Sequence, residues 1–232
     1  MIDFKEVHIG YSKPLITVSG LTLHAGELYI LAGKNGIGKS TLLKSICHQI
    51  PLIKGTVEIN ERPLNILDLS KTVAFVNSTF PIVEYLKTED FIALGRSPYT
   101  NAFGRLKPSD LRIIDEVCDQ LNINSLKGKY TSELSDGERQ LVAIAKALAQ
   151  ETPVVILDEP TAFLDYSNKL IVLIKLKEIA KKLNKCVLLS SHDIDLGIEA
   201  NCTFLVITAK EKRIQQLNAP VNKDELLELG FL

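Results

Sequence analysis

The four cysteines, Cys47, Cys118, Cys186 and Cys202, are scattered over 232 residues with no C-x-x-C pair. Such spacing argues against a disulfide scaffold or a zinc site and fits thiols kept reduced in the cytosol. An excess of charge of either sign is also missing, with 27 basic side chains against 28 acidic ones. That balance offers no general surface for nucleic acid. No segment approaches the ~20 consecutive apolar residues needed to cross a bilayer. The first residues, Met1-Ile2-Asp3-Phe4-Lys5-Glu6, alternate and carry charge where a secretion leader needs an apolar stretch. Any membrane association is therefore expected to come through a partner. Internal repeats and low-complexity segments are lacking too.

What the chain does have is 46% hydrophobic residues, enough for the core of one large α/β domain or of a core with a subdomain. It also has Gly33-Lys34-Asn35-Gly36-Ile37-Gly38-Lys39-Ser40, which has the G-x-x-x-x-G-K-[ST] form of a phosphate loop. Leu28-Tyr29-Ile30-Leu31-Ala32 before it reads as a buried strand, and residues 40–47 after it as a helix. Without Cβ atoms, Gly33, Gly36 and Gly38 let the backbone curl around an anion that faces the positive end of that helix. Asn35 belongs to the same loop. Lys39 is expected to reach the β- and γ-phosphates of ATP or GTP, Ser40 to ligate Mg²⁺, and Thr41 to add a phosphate hydrogen bond.

Val154-Val155-Ile156-Leu157-Asp158-Glu159-Pro160 reads as a central parallel strand ending in two carboxylates. Ligands of open parallel sheets sit beyond the carboxyl ends of the strands, so both carboxylates should face the crevice that holds Lys39. Asp158 is expected to hold Mg²⁺, and Glu159 to polarise an attacking water. Leu134-Ser135-Asp136-Gly137-Glu138-Arg139-Gln140 opens a helix with apolar spacing at Leu141, Ile144, Ala145 and Leu148. Ser135 is its N-cap candidate, and Glu138 completes a capping box.

Taken in order, the phosphate loop, Leu134-Ser135-Asp136-Gly137-Glu138, the strand ending in Asp158-Glu159, Ala162-Phe163-Leu164-Asp165 and His192 resemble an ABC transporter ATPase subunit. The match runs roughly over residues 2–208. The resemblance implies a head-to-tail homodimer, each ATP held between one subunit's phosphate loop and the other's Ser135 and Gly137. It assigns Asp165 to communication between sites, His192 to the γ-phosphate and to orienting Glu159, and Tyr11 to stacking on adenine. It further implies a cytoplasmic subunit, peripheral on the membrane, with integral-membrane permease subunits and, indirectly, a substrate-binding protein as partners.

The expected fold is α/β: a P-loop NTPase core with a mostly parallel sheet, an antiparallel β subdomain and a helical subdomain. All 232 residues form one such domain, with 1–79 and 150–232 as core plus β subdomain and about 80–134 as helical subdomain. In that helical segment Thr88 is expected to cap one helix, and Leu111, Ile114, Val117 and Leu121 to form one stripe of another. Residues 165–183 read as a further helix, and Thr203-Phe204-Leu205-Val206-Ile207 as the start of a closing hairpin.

Two positions depart from the family pattern. The glutamine usual after the strand Val73-Ala74-Phe75-Val76, a metal and permease contact, is replaced by Ser78 or, with a one-residue slip, Asn77. Asp136 stands where the signature has a glycine, and a carboxylate there repels phosphate unless it points away or caps an amide. Phe91-Ile92-Ala93-Leu94-Gly95-Arg96-Ser97-Pro98-Tyr99 and Phe103-Gly104-Arg105-Leu106 resemble the helical-subdomain segment of importers of iron-siderophore, haem or cobalamin, although spacing alone favours a plain helix ending in a Gly and Pro turn. The competing expectation is a soluble ABC ATPase of an assembly complex, such as iron-sulfur cluster biogenesis. A P-loop nucleotide kinase has no use for Ser135-Asp136-Gly137.

Overall fold

The computed structural model describes residues 1–80 and 83–229. The start of the expected helical segment, at 81–82, and the last three residues lie outside them. The elements in chain order are β1 (Ile2–Gly10), β2 (Pro14–Val18), β3 (Leu21–Leu23), β4 (Leu28–Ala32), α1 (Lys39–Ile46), β5 (Lys54–Ile59) and β6 (Arg62–Pro63). There follow α2 (Leu69–Thr72), β7 (Val73–Val76), α3 (Thr88–Ala93), α4 (Pro108–Leu121), α5 (Asp136–Ala149), β8 (Val154–Leu157) and α6 (Tyr166–Lys182). The chain closes with β9 (Cys186–Ser190), α7 (Ile194–Glu199), β10 (Thr203–Ile207), β11 (Ile214–Leu217) and α8 (Lys223–Glu228).

Two sheets form. The first is antiparallel, in the order β2-β1-β5-β6 with β3 also paired to β1. The second runs β11-β10-β4-β9-β8-β7 and is parallel except for the hairpin of β10 and β11. Its central strands are apolar on both faces, as strands covered on both sides must be. Alternate residues feed two cores: Leu28, Ile30 and Ala32 pack with α3 to α7, whereas Tyr29 and Leu31 pack with α1 and the antiparallel sheet. The P-loop α/β fold expected from sequence is the one observed.

Two local expectations change. Lys87, not Thr88, is the N-cap of α3; Thr88 is its first residue, fully buried, and its hydroxyl donates to Lys129 O at 3.1 Å. A long-range acceptor has claimed the group that local capping would have used. In α4, Ile114, Val117 and Leu121 are buried, but Leu111 is 52% exposed. The buried place in that first turn goes to Asp110, which is paired with Arg96.

That pair explains Gly95-Arg96-Ser97-Pro98-Tyr99 structurally. After α3 the chain continues as a 3-10 helix, Leu94–Tyr99, laid on the C-terminal end of α5. A Cβ on Gly95 would come within 2.2 Å of Lys146 O, so only glycine permits the approach. Arg96, 4% exposed, donates to Asp110 Oδ1 at 2.9 Å, Ala149 O at 2.7 Å and Glu151 Oε2 at 2.7 Å. Its guanidinium lies over the Tyr99 ring, and Tyr99 Oη donates to Gln150 O at 2.9 Å. The four cysteines are free and buried.

Replacing Arg96 with Met strands Asp110 as an uncompensated buried charge, and we expect a loss of about 3–5 kcal/mol in urea unfolding. The Lys107 N–H holds the Asp110 carboxyl below its ordinary value of 3.8 against the cost of burial, and Arg96 lowers it further. A depressed carboxylate stabilises above its unfolded pKa and loses that contribution as pH falls through the folded one. The Arg96→Met acid transition should therefore begin at higher pH than that of the natural chain, and an unshifted transition would contradict the pairing.

Candidate functional site

The site is assembled where strands of the parallel sheet end. β4 delivers the phosphate loop, whose Gly36 and Gly38 take φ of +75° and +115°, conformations that side chains resist. Gly38 then hands the chain to α1 without a side-chain cap, leaving the helix's first amides open to an anion. Lys39 is 6% exposed, and its Nζ donates to Gly33 O at 2.8 Å and Lys34 O at 3.4 Å. Burial lowers its pKa, while Glu159 and Asp158 pull it back up. A desolvated ammonium whose described acceptors are two loop carbonyls fits an anion as its third partner.

β8 delivers the carboxylates. Asp158 is 3% exposed and accepts from Ser40 Oγ at 3.1 Å and from Ser190 Oγ, at the end of β9, at 2.7 Å. Hydroxyl and carboxylate oxygens are the hard donors that Mg²⁺ selects, so Ser40 and Asp158 suit that ion. Glu159 sits at φ +50°, uncommon for a residue with a side chain, and its N–H donates to the same Ser190 Oγ at 2.8 Å. Beyond β9, His192 Nε2 meets Glu159 Oε1 at 2.5 Å. Asn35, Gly36, Gly38, Lys39, Ser40, Thr41, Glu159 and His192 together line a cavity of about 190 Å³. Larger surface cavities, of about 420 and 680 Å³, lie at the opposite end of the parallel strands and beside the antiparallel sheet. Neither joins a helix start to a paired carboxylate and imidazole, so the smaller one is the candidate chemical site.

The remaining residues singled out in the sequence do not line this cavity. Tyr11 is 73% exposed in the turn between β1 and β2. Ser78 is half-buried in the bend after β7, and Asn77 is exposed and lines a different cavity. Ser135 caps α5, accepting from Glu138 N at 3.3 Å while Glu138 Oε2 accepts from Ser135 N at 2.8 Å. Gly137 abuts the stretch before α6, where a Cβ would come within 2.8 Å of Leu164 Cδ2. Asp165 caps α6 through Asn168 N at 2.9 Å. Asp136 is turned to Arg139 Nη1 at 2.7 Å. Sequence reasoning gave no role to Ser190, although its place beside Ser191 just before His192 was visible; only the strand order reveals that it bridges two consecutive residues of β8's end.

Comparison with known proteins finds relatives of the whole chain. Residues 17–162 match the ABC transporter family. An ABC transporter ATP-binding protein of Methanocaldococcus jannaschii is 39% identical over 203 residues, spanning 85% of this chain and 70% of that protein. The achromobactin transport ATP-binding protein of Dickeya dadantii is 33% identical over 200 residues, 84% of this chain and 74% of its own. Among solved structures, a chain described as a metal-chelate type ABC transporter in an inward-facing conformation superposes with a TM-score of 0.82 at 27% identity. The superposition covers 100% of this chain and 88% of that one.

Ser190→Ala removes one hydroxyl that serves the buried Asp158 carboxylate and the part-buried Glu159 N–H, so we expect it to cost about 1–3 kcal/mol in thermal or urea unfolding. Ser190→Thr, which keeps the oxygen, should recover most of that loss. Equal stability of the alanine variant and the natural chain would show that the bridge contributes nothing.

Proposed function

The chain belongs to the ABC transporter family, and on that premise we propose that it is the ATP-binding and ATP-hydrolysing subunit of an importer, dimerising around two Mg-ATP to power uptake of an iron chelate, haem or cobalamin through a membrane permease. The observation that carries the hydrolytic part is the His192–Glu159 contact at the mouth of the cavity walled by Lys39, Ser40 and Thr41. The import part is supported by relatives named as transport ATP-binding proteins. Among the described residues no helix is long and apolar enough to cross a membrane.

In this reading the loop amides and Lys39 hold the β- and γ-phosphates of ATP, the substrate. Mg²⁺, held by Ser40 and Asp158, supplies charge neutralisation on those phosphates. Glu159 accepts a proton from the water that attacks the γ-phosphorus, while the bond to the ADP oxygen breaks in line. His192 orients Glu159 and contacts the γ-phosphate. Positioning and charge stabilisation then do most of the work, as phosphoryl transfer requires. Tyr11 meets the adenine from its exposed turn. Ser135 and Gly137 of a second copy complete the phosphate site, and Asp165 links the two sites across the dimer.

Glu159→Gln is expected to keep ATP binding, to lose about 10²–10⁴ of turnover, and to accumulate as an ATP-bound dimer visible by size-exclusion chromatography with light scattering. Unimpaired turnover would remove Glu159 as the base. Detergent co-purification addresses the transport half: a complex of two permease and two ATPase subunits, stimulated by a loaded binding protein, supports import. Recovery with soluble partners alone favours an assembly ATPase, a reading to which the missing family glutamine at Ser78 lends some support.

A further inference from the structure

We propose that Lys169 is a positioning residue for hydrolysis, clamping the loop that carries His192 to the helix start capped by Asp165. This rests on the reading of Glu159 and His192 given above and adds to it a residue outside the phosphate cavity.

Lys169 is the fourth residue of α6. Its N–H donates to Asp165 O at 2.9 Å, and its Nζ donates to Asp193 Oδ2 at 2.9 Å. Asp193 directly follows His192 in sequence. A cation in the first turn of a helix opposes the helix dipole, so α6 itself gives no reason for a lysine here. Its acceptor lies on another element, and with side chains 18% and 36% exposed the pair is only partly screened by solvent.

The surroundings make the clamp specific to the histidine loop. Behind His192, Ser191 is 4% exposed; its N–H donates to Leu31 O at 3.3 Å, and its hydroxyl accepts from Asp193 N at 3.0 Å. Ahead of it, α7 is seated hard on the sheet: a Cβ on Gly197 would come within 2.5 Å of Phe204 Cζ and 2.6 Å of Ile30 Cδ1. A second tie, from Tyr166 Oη to Glu199 Oε2 at 2.7 Å, joins the first turn of α6 to the end of α7. Between these fixed points the Asp193 side chain is what Lys169 holds, and the half-exposed imidazole one residue earlier is what that hold aims at Glu159. Asp165 and Glu159, assigned to different tasks, thus sit at the two ends of one short path: Asp165, Lys169, Asp193, its chain neighbour His192, and Glu159.

The test is steady-state ATP turnover of the full chain with Mg-ATP. Lys169→Met keeps most of the aliphatic stem and deletes the charge; it should lower kcat by about ten- to a hundredfold with KM for ATP changed less than about twofold. Its thermal midpoint should stay within about 2 °C, since a partly exposed pair contributes little to folding. Lys169→Arg should keep most of the turnover. Combining Lys169→Met with Asp193→Asn should be no slower than the slower single variant, because both remove the same interaction. Natural turnover in Lys169→Met, an arginine variant as slow as the methionine one, or additive losses in the double variant would each overturn the proposal. Should the natural chain hydrolyse no ATP, the reading of Glu159 falls and this one with it; natural hydrolysis indifferent to Lys169 overturns this one alone.

Discussion

The buried carboxylate of Asp158 is shared by hydroxyls from two other strand ends, Ser40 just past β4's loop and Ser190 closing β9. At 3% exposure it has little water to fall back on, and a buried charge without donors is expensive. Satisfying it requires β4, β9 and β8 to lie side by side and to end level with one another. Those same demands bring Lys39, Glu159 and His192 to one cavity. The left-handed backbone of Glu159 follows from the same bridge, because its N–H must also reach Ser190 Oγ. Strain of this kind persists only where surrounding contacts over-determine it.

The apolar parts of these strands do much less to fix their alignment. Val154, Val155, Ile156 and Leu157 are all fully buried, as are Cys186, Val187, Leu188 and Leu189. With both faces covered, a slip of one residue would move a side chain from one core to the other without exposing it. Register is weakly specified by hydrophobic pattern in that situation, unlike that of a strand with one wet face. Burial of each such side chain, about 1.5–3 kcal/mol, drives assembly of the layers. The polar groups at the strand ends select which assembly is reached.

This division explains what was legible in the sequence. Phosphate loop, carboxylate strand and capping box are local patterns, and each was found where its spacing put it; α5 even keeps the reciprocal Ser135 and Glu138 bonds. The P-loop α/β architecture followed from their order. What escaped detection depends on groups distant in sequence. Lys129 O takes the Thr88 hydroxyl, Arg96 draws Asp110 into the place expected for Leu111, and Ser190 acquires its partners only when β9 lies beside β8. Gly95 to Tyr99 read as an importer segment by resemblance, whereas its glycine, arginine and tyrosine are occupied with packing α3 and α4 onto α5. A motif's chemistry is visible in sequence when its residues act on a ligand together, and invisible when each acts on a different neighbour.

The start of α5 shows how a feature that looked adverse in sequence is neutralised by its neighbours. Two acidic residues in its first turn, Asp136 and Glu138, sit where the head-to-tail reading requires a phosphate to approach. Neither carboxylate is free: Asp136 is paired with Arg139 at 2.7 Å, and Glu138 accepts from Ser135 N at 2.8 Å with Lys129 Nζ at 3.6 Å. Ser135 Oγ acts as an acceptor toward Glu138 N, and the Ser135 N–H, helped by that hydroxyl, holds the Glu138 carboxyl below its ordinary value. Gly137 cannot enlarge without striking Leu164, which keeps the helix start close to the Asp165 segment. A helix dipole and balanced carboxylates remove the local objection to the anion that the proposed head-to-tail pairing would bring, although the bare residue count in that turn argues the reverse.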